Sequence, residues 1–163
     1  MARHAFVLGS NGSEAFGKLR FARSDAERIA ATLSAQRYSF QIITPSTYVD
    51  PYLIRKELDT AAAACAEDDS FIIYFSGHGA LVGGRLMLVL DETVPGRQTT
   101  YLPVSWVQEA RSLSVARNRL LILDCCHAGA ATGGKSAAID VTELGIVRWT
   151  PKMRQLAKVE PCP

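Results

Sequence analysis

Two residues in this chain carry the chemistry of a base and a nucleophile, and both close the same kind of segment. Phe71–Gly79 (FIIYFSGHG) and Leu120–Gly129 (LLILDCCHAG) are apolar runs, rich in β-branched or aromatic residues, that end at small reactive clusters. The first cluster supplies His78 and the second Cys126, 48 positions further on. A thiol attacks a carbonyl only after losing its proton, so a catalytic cysteine needs a base or a positive field beside it. Two buried parallel strands ending side by side would deliver both groups to one sheet edge, where α/β folds place their sites. Gly77 and Gly79 flank the histidine and are expected to let the backbone turn sharply and a substrate carbonyl approach. The backbone N–H groups of Gly79 and Cys126 are the candidates for holding the developing oxyanion. Taken alone, a histidine after a strand is usually a loop residue and a buried cysteine a small hydrophobe. The two clusters together point to catalysis, whereas Cys65, in an alanine-rich helical stretch, and Cys162, near the last residue, read as ordinary thiols.

The remaining pattern is what must position these groups. Ala5–Leu8 reads as a first strand closed by the turn chemistry of Gly9–Gly12. From Ser24, the apolar positions Ala26, Ile29, Ala30 and Leu33 recur at helical spacing, with Ser24 as the expected N-cap and Asp25 and Glu27 in the first turn. Ser39–Thr44 is a short strand stopped by Pro45. Asp50-Pro51 has the cap-then-proline form of a helix start, and that helix is expected to reach about Ala66, burying Leu53 or Ile54 with Leu58, Ala61, Ala62 and Cys65. Phe71–Phe75 is the third strand. Gly83-Gly84 then reads as a two-residue hairpin turn between Ala80–Val82 and Arg85–Leu90. Leu102-Pro103 opens a third helix to about Leu113, and Arg119–Leu123 is the fourth parallel strand. Strands alternating with helices predict an α/β fold of three layers, a mainly parallel sheet flanked by helices. Beyond Gly129 no strand of comparable strength is expected, and the segment to Pro163 offers one short helix at most.

Composition bounds the function. At 163 residues with 48% hydrophobic and 21% charged content, the chain is expected to form one core of ordinary size. A formal net charge of +2 without long basic runs argues for neither nucleic acid nor an acidic membrane surface as a partner. No apolar stretch approaches the roughly 20 residues of a membrane span, and no secretory leader is visible. A cytoplasmic location with reduced thiols is therefore expected, and the preference for arginine over lysine, thirteen to five, leans toward a bacterial source.

Phe75-Ser-Gly-His78-Gly79 and Asp124-Cys-Cys126-His127-Ala-Gly129 resemble the two signatures of the caspase-like cysteine peptidase superfamily, above all its metacaspase and bacterial caspase-like branch. A histidine about 50 residues before the cysteine is the spacing of that family. The Arg20–Glu27 segment is similar to the family's Asp-Ala helix start, and the resemblance covers roughly residues 4 to 130. It implies a caspase-hemoglobinase fold, with 1–130 as a large-subunit-like catalytic core and 131–163 as a post-nucleophile loop and tail, the C-terminal strands of the family being apparently missing. By the same resemblance Cys126, immediately before His127, is the nucleophile, Cys125 fills a variable position, and Asp25 and Asp124 fall where the family's substrate pocket places carboxylates. A protein or peptide cleaved after Arg or Lys is the implied substrate, since a half-buried pair of carboxylates attracts a guanidinium or ammonium and rejects an acidic side chain. No cofactor is required by the residues themselves; calcium, and a second chain or small subunit completing the sheet, enter through the resemblance alone. A non-catalytic caspase-like module pairing its open strand edge with another chain is the second reading. Cys125, Cys126, His127 and His78 match none of the usual zinc spacings, and no metal site is expected from them.

Overall fold

The computed structural model describes residues 1–127 and 146–148, with Cys126, His127 and the last three by backbone alone. In chain order the elements are β1 (Arg3–Gly9), α1 (Ala22–Ser34), β2 (Gln41–Ile43), α2 (Pro51–Ala63), β3 (Ser70–Val82), β4 (Arg85–Leu88), β5 (Leu102–Pro103), α3 (Val104–Leu113), β6 (Asn118–His127) and β7 (Ile146–Arg148). Five strands lie in the spatial order β2-β1-β3-β6-β7, every neighbouring pair parallel. The far half of β3 leaves this array and pairs antiparallel with β4, which in turn pairs with β5.

Alternation along the strands builds the layers. Phe6, Leu8, Phe71, Ile73, Phe75, Leu121 and Leu123 join one core with Ile54 and Leu58 of α2 and Val104, Val107 and Ala110 of α3. Ala5, Val7 and Tyr74, from the intervening positions, join a second core with Ala26, Ile29, Ala30 and Leu33 of α1. A strand covered on both faces has no solvent side, which is why β1, β3 and β6 are unbroken apolar runs. The second helix starts as its sequence predicts: Asp50 Oδ1 accepts the N–H groups of Tyr52 and Leu53 at 2.9 and 3.2 Å, and Pro51 takes the first helical position. Of the pair left open, Ile54 is fully buried and Leu53 is 37% exposed.

Several boundaries differ from the sequence reading, each for a local reason. β3 does not stop at Phe75 but continues through His78 into the hairpin, because β6 on one side and then β4 on the other supply ladder partners out to Val82. The hairpin turn itself is as expected, with Gly83 and Gly84 at φ +57° and +76° and Val82 opposite Arg85. α1 begins at Ala22 with Phe21 as its N-cap; Ser24 lies inside the first turn and donates its hydroxyl to the Phe21 carbonyl at 3.0 Å, so it caps nothing. α2 ends at Ala63, short of the expected Ala66, and Leu102-Pro103 pairs with β4 before α3 begins. After the cysteine segment, where no further strand was expected, Ile146–Arg148 pairs in parallel with Leu121–Leu123. Three residues show no period of their own, and the exposed ladder of β6 is what makes them a strand. The helix allowed within the last segment falls outside the described residues.

The connection into β3 carries an acid-sensitive tie. Asp69 accepts the backbone N–H groups of Ala66 and Ala2 and lies 3.6 Å from His4 Nε2. These N–H groups, then the histidine, hold its carboxyl below the usual carboxylate range. A carboxyl depressed in the folded state contributes stability above its unfolded value of about 3.9 and loses it as the pH falls through the folded value. Thermal melts taken between about pH 6 and pH 3 are therefore expected to fall more steeply for the native protein than for Asp69→Asn. Parallel curves would assign the acid sensitivity to other groups.

Candidate active site

His78 sits in the stretch of β3 that has outrun β1, whose pairing ends at Gly9 opposite Ser76. The freed flank is occupied by the loop after β1. There the His78 ring meets two features: Nε2 lies 2.7 Å from the Gly17 carbonyl oxygen, and Cδ2 packs against Gly12. A carbonyl can only accept, so the Gly17 contact places a hydrogen on Nε2, and in the neutral ring that tautomer has its lone pair on Nδ1.

The next strand brings the cysteine segment alongside. β3 and β6 run parallel in a register that makes His78 the partner of Cys126, Gly77 of Cys125 and Gly79 of His127. Neighbouring strands lie about 4.8 Å apart, so the backbones at 78 and 126 are as close as a sheet allows. Position 126 falls in the same alternation as Ile122 and Asp124; its side chain lies outside what is described. Cys125 belongs to the opposite alternation, packing against the core that holds Leu121 and Leu123. Gly77 and Gly79 do not turn the chain as expected, since the strand passes straight through both. What they supply is room. A Cβ at Gly77 would stand 2.7 Å from Phe75 Cζ and 2.9 Å from the Ser10 carbonyl oxygen, and one at Gly79 would stand 3.3 Å from both Cys125 Sγ and Leu86 Cδ1. Gly79 is also the junction of the sheet, paired with His127 on one flank and Leu88 on the other.

The two carboxylates converge on a residue the sequence reading passed over. Asp124, buried in β6, accepts the Tyr74 hydroxyl at 3.4 Å. Asp25, in the first turn of α1, keeps 29% of its side chain exposed and lies 3.9 Å from Arg28 Nη1. Burial, followed by the charge of Asp124 and more weakly that of Asp25, pushes the Tyr74 phenol far above its ordinary value. Tyr74 thus stays a neutral donor between two acids. In the sequence it was hidden in an apolar strand, its only signal being a polar tip among Phe and Ile. Cys65 shows the contrasting environment: it donates to the Ala61 carbonyl at 3.5 Å, and burial pushes its thiol up, away from the thiolate a nucleophile needs. Cys162 lies outside the described residues.

A cavity of 760 Å³ opens elsewhere, between the β3–β4 hairpin and the start of α3, lined by Tyr52, Arg85, Met87, Tyr101 and Trp106 among others; none of His78, Gly79, Asp25 and Asp124 borders it. Among the described residues no three His, Cys, Asp or Glu side chains gather where a metal ion could be held. No helix among them is long and apolar enough to cross a membrane.

Against this geometry, the family model of the caspase domain matches residues 2–158. The crystal structure of protein GSU0716 from Geobacter sulfurreducens superposes with a TM-score of 0.61 at 21% identity, covering 79% of this chain and 52% of that one. The chain thus spans about half the length of that neighbour, and the likeness is one of fold. No curated protein matches the sequence. The match spans the parallel sheet, the helices on its two faces and the adjacent strands that carry the histidine and cysteine segments, and this chain belongs to the caspase domain family.

Proposed function

We propose that the chain is a cysteine endopeptidase that cleaves proteins or peptides after Arg or Lys. Membership of the caspase domain family supports cysteine-peptidase chemistry; the observation that carries the particular residues is the register making His78 the neighbour of Cys126. In this reading His78, its hydrogen on Nε2, receives the thiol proton at Nδ1 and returns it to the leaving amine. Cys126 attacks the scissile carbonyl through sulfur, the C–N bond breaks to give a thioester, and water releases the acid. The N–H groups of Gly79 and Cys126 hold the oxyanion of the tetrahedral intermediate. Asp124, with Asp25 beside it, receives the cationic side chain. Two carboxylates around a neutral tyrosine hydroxyl suit a guanidinium, which brings several donors and no acceptor.

The test is a panel of fluorogenic peptides alike except for a terminal Arg, Lys, Asp or Leu, offered to the purified full chain with and without a thiol alkylator. Arg and Lys peptides are expected to be cleaved at least about 100-fold faster than the Asp peptide, since an acid there faces like charge where a cation finds a desolvated ion pair. Alkylation is expected to stop the reaction. Cleavage indifferent to the charge of that residue, or to alkylation, would overturn the assignment.

A further inference from the structure

The Gly17 carbonyl that fixes the His78 tautomer belongs to a loop that packs Phe16 on Tyr101, accepts the Arg23 N–H at Asn11 Oδ1, and is tied by its serines to one short segment, Asp91–Thr93, after β4. Two hooks reach across. Ser13 Oγ donates to the Thr93 carbonyl at 2.6 Å, at the mouth of the single turn Glu14–Phe16 that presents Gly17. Asp91 Oδ1 accepts the Ser10 hydroxyl at 2.8 Å, and Ser10 Oγ in turn accepts the Gly12 N–H at 3.1 Å. Gly12, at φ +77°, lies against the His78 ring: a Cβ there would stand 3.0 Å from Cδ2. Ser10 is fully buried and Thr93 nearly so, while Asp91 keeps 24% of its side chain exposed, hence water competes with these bonds only from the Asp91 and Ser13 side. The other carboxylate oxygen of Asp91 accepts Arg23 Nη2, whose guanidinium also stacks 4.1 Å over the Tyr48 ring. Arg23 Nε is buried without a hydrogen-bond partner among the described residues, so this cation depends on Asp91.

We infer that Asp91 is a positioning residue for the imidazole, acting through Ser10, Gly12 and the loop to hold His78 with its hydrogen on Nε2. The inference rests on the reading of His78 as the base and adds how that base is kept in form. Its chemistry is specific to a carboxylate. Both neighbours of Asp91, the Ser10 hydroxyl and the Arg23 guanidinium, donate, so two acceptor oxygens satisfy both. An asparagine of the same shape has one oxygen and one NH₂ and satisfies only one. If its NH₂ faces Ser10, the hydroxyl oxygen accepts from it beside the Gly12 N–H and the hydroxyl hydrogen loses its acceptor, which shifts Ser10 and the Gly12 contact with it; if its oxygen faces Ser10, Arg23 loses its carboxylate.

The test is heteronuclear NMR of the full chain with ¹⁵N-labelled histidine at a pH where imidazoles are neutral, the His78 signals being assigned by their loss in His78→Gln. The native protein is expected to show one tautomer, protonated at Nε2. Asp91→Asn, which preserves size, and Ser10→Ala, which removes the relay, are each expected to lower the Nε2–H to Nδ1–H ratio about tenfold, the order of one buried hydrogen bond. Asp59→Asn, which removes the Arg55–Asp59 ion pair within α2, leaves the ratio alone. An unchanged ratio in folded Asp91→Asn and Ser10→Ala overturns the inference, as does an equal change in Asp59→Asn, which would reduce it to general loosening. In the peptide assay the same two variants are expected to lower kcat about tenfold with KM unchanged. A native protein that cleaves no peptide sinks the protease reading, and the tautomer ratio then decides this inference by itself.

Discussion

Cys126→Ala is expected to lower kcat/KM on an Arg-ended peptide by at least about 10³-fold, to the floor of the assay, while Cys125→Ala keeps most of the activity. The contrast follows from strand alternation. Adjacent cysteines on one strand belong to opposite faces of the sheet, and only one can serve a base on the neighbouring strand. Cys125 packs with the layer of α2 and α3, its sulfur beside Gly79. Its truncation removes core contacts, and about 1 kcal/mol of stability is the expected loss, visible as a lower Tm. The register partner of His78 is position 126. Removing the sulfur there leaves water as the only nucleophile, and a base with nothing to deprotonate. The reversed pattern, with Cys125→Ala inactive and Cys126→Ala active, would mean that the strand is shifted by one residue, since a one-residue slip exchanges the faces of every side chain along it; equal rates in the two variants would remove Cys126 from the role of nucleophile. The pair of variants thus reports on the register as well as on the chemistry.

What could be read from the chain and what could not divide along the range of the interactions involved. β1, β3 and β6 were legible because burial on both faces forces an apolar run whatever their partners are. The hairpin and the start of α2 were legible because Gly83-Gly84 and Asp50-Pro51 act within four residues of themselves. β7 was not, because Ile146–Arg148 is a strand by virtue of the Leu121–Leu123 ladder. Nor was the extension of β3 past Phe75, since Ser-Gly-His-Gly has poor strand propensity and is carried by neighbours on both flanks. The same division runs through the site. His78 and Cys126 stood out as reactive residues after strands, and Asp25 and Asp124 by resemblance. Gly17, Ser10, Arg23 and Asp91 gave no local signal, and Tyr74 only its polar tip: each owes its place to a contact with a residue distant in the chain. The separation from Ser10 to Asp91 is 81 residues, beyond the reach of any local pattern.

Asp124→Asn is expected to lower kcat/KM for Arg and Lys peptides roughly 10- to 100-fold, mainly through KM, because a hydrogen bond to a charged group contributes about 1.5–3 kcal/mol. The residue is nearly buried, so its charge acts through little solvent, and an asparagine there retains an acceptor for Tyr74 while losing the attraction for a cation. Asp25→Asn is expected to cost less, a few-fold, since its carboxylate is 29% exposed and already faces Arg28. Raising the ionic strength should separate the two further: the Asp25 contribution shrinks with salt, and that of the buried Asp124 persists. The opposite order, with Asp25 dominant and Asp124 nearly silent, would move the cation's seat to the first turn of α1 and leave Asp124 the narrower task of holding the Tyr74 hydroxyl between the strands. Tyr74→Phe distinguishes the two cases. With the cation on Asp124, losing the hydroxyl removes one competing donor from that carboxylate and KM changes little or falls. With the cation on Asp25, the same variant leaves a buried carboxylate short of a donor and the penalty appears in Tm instead.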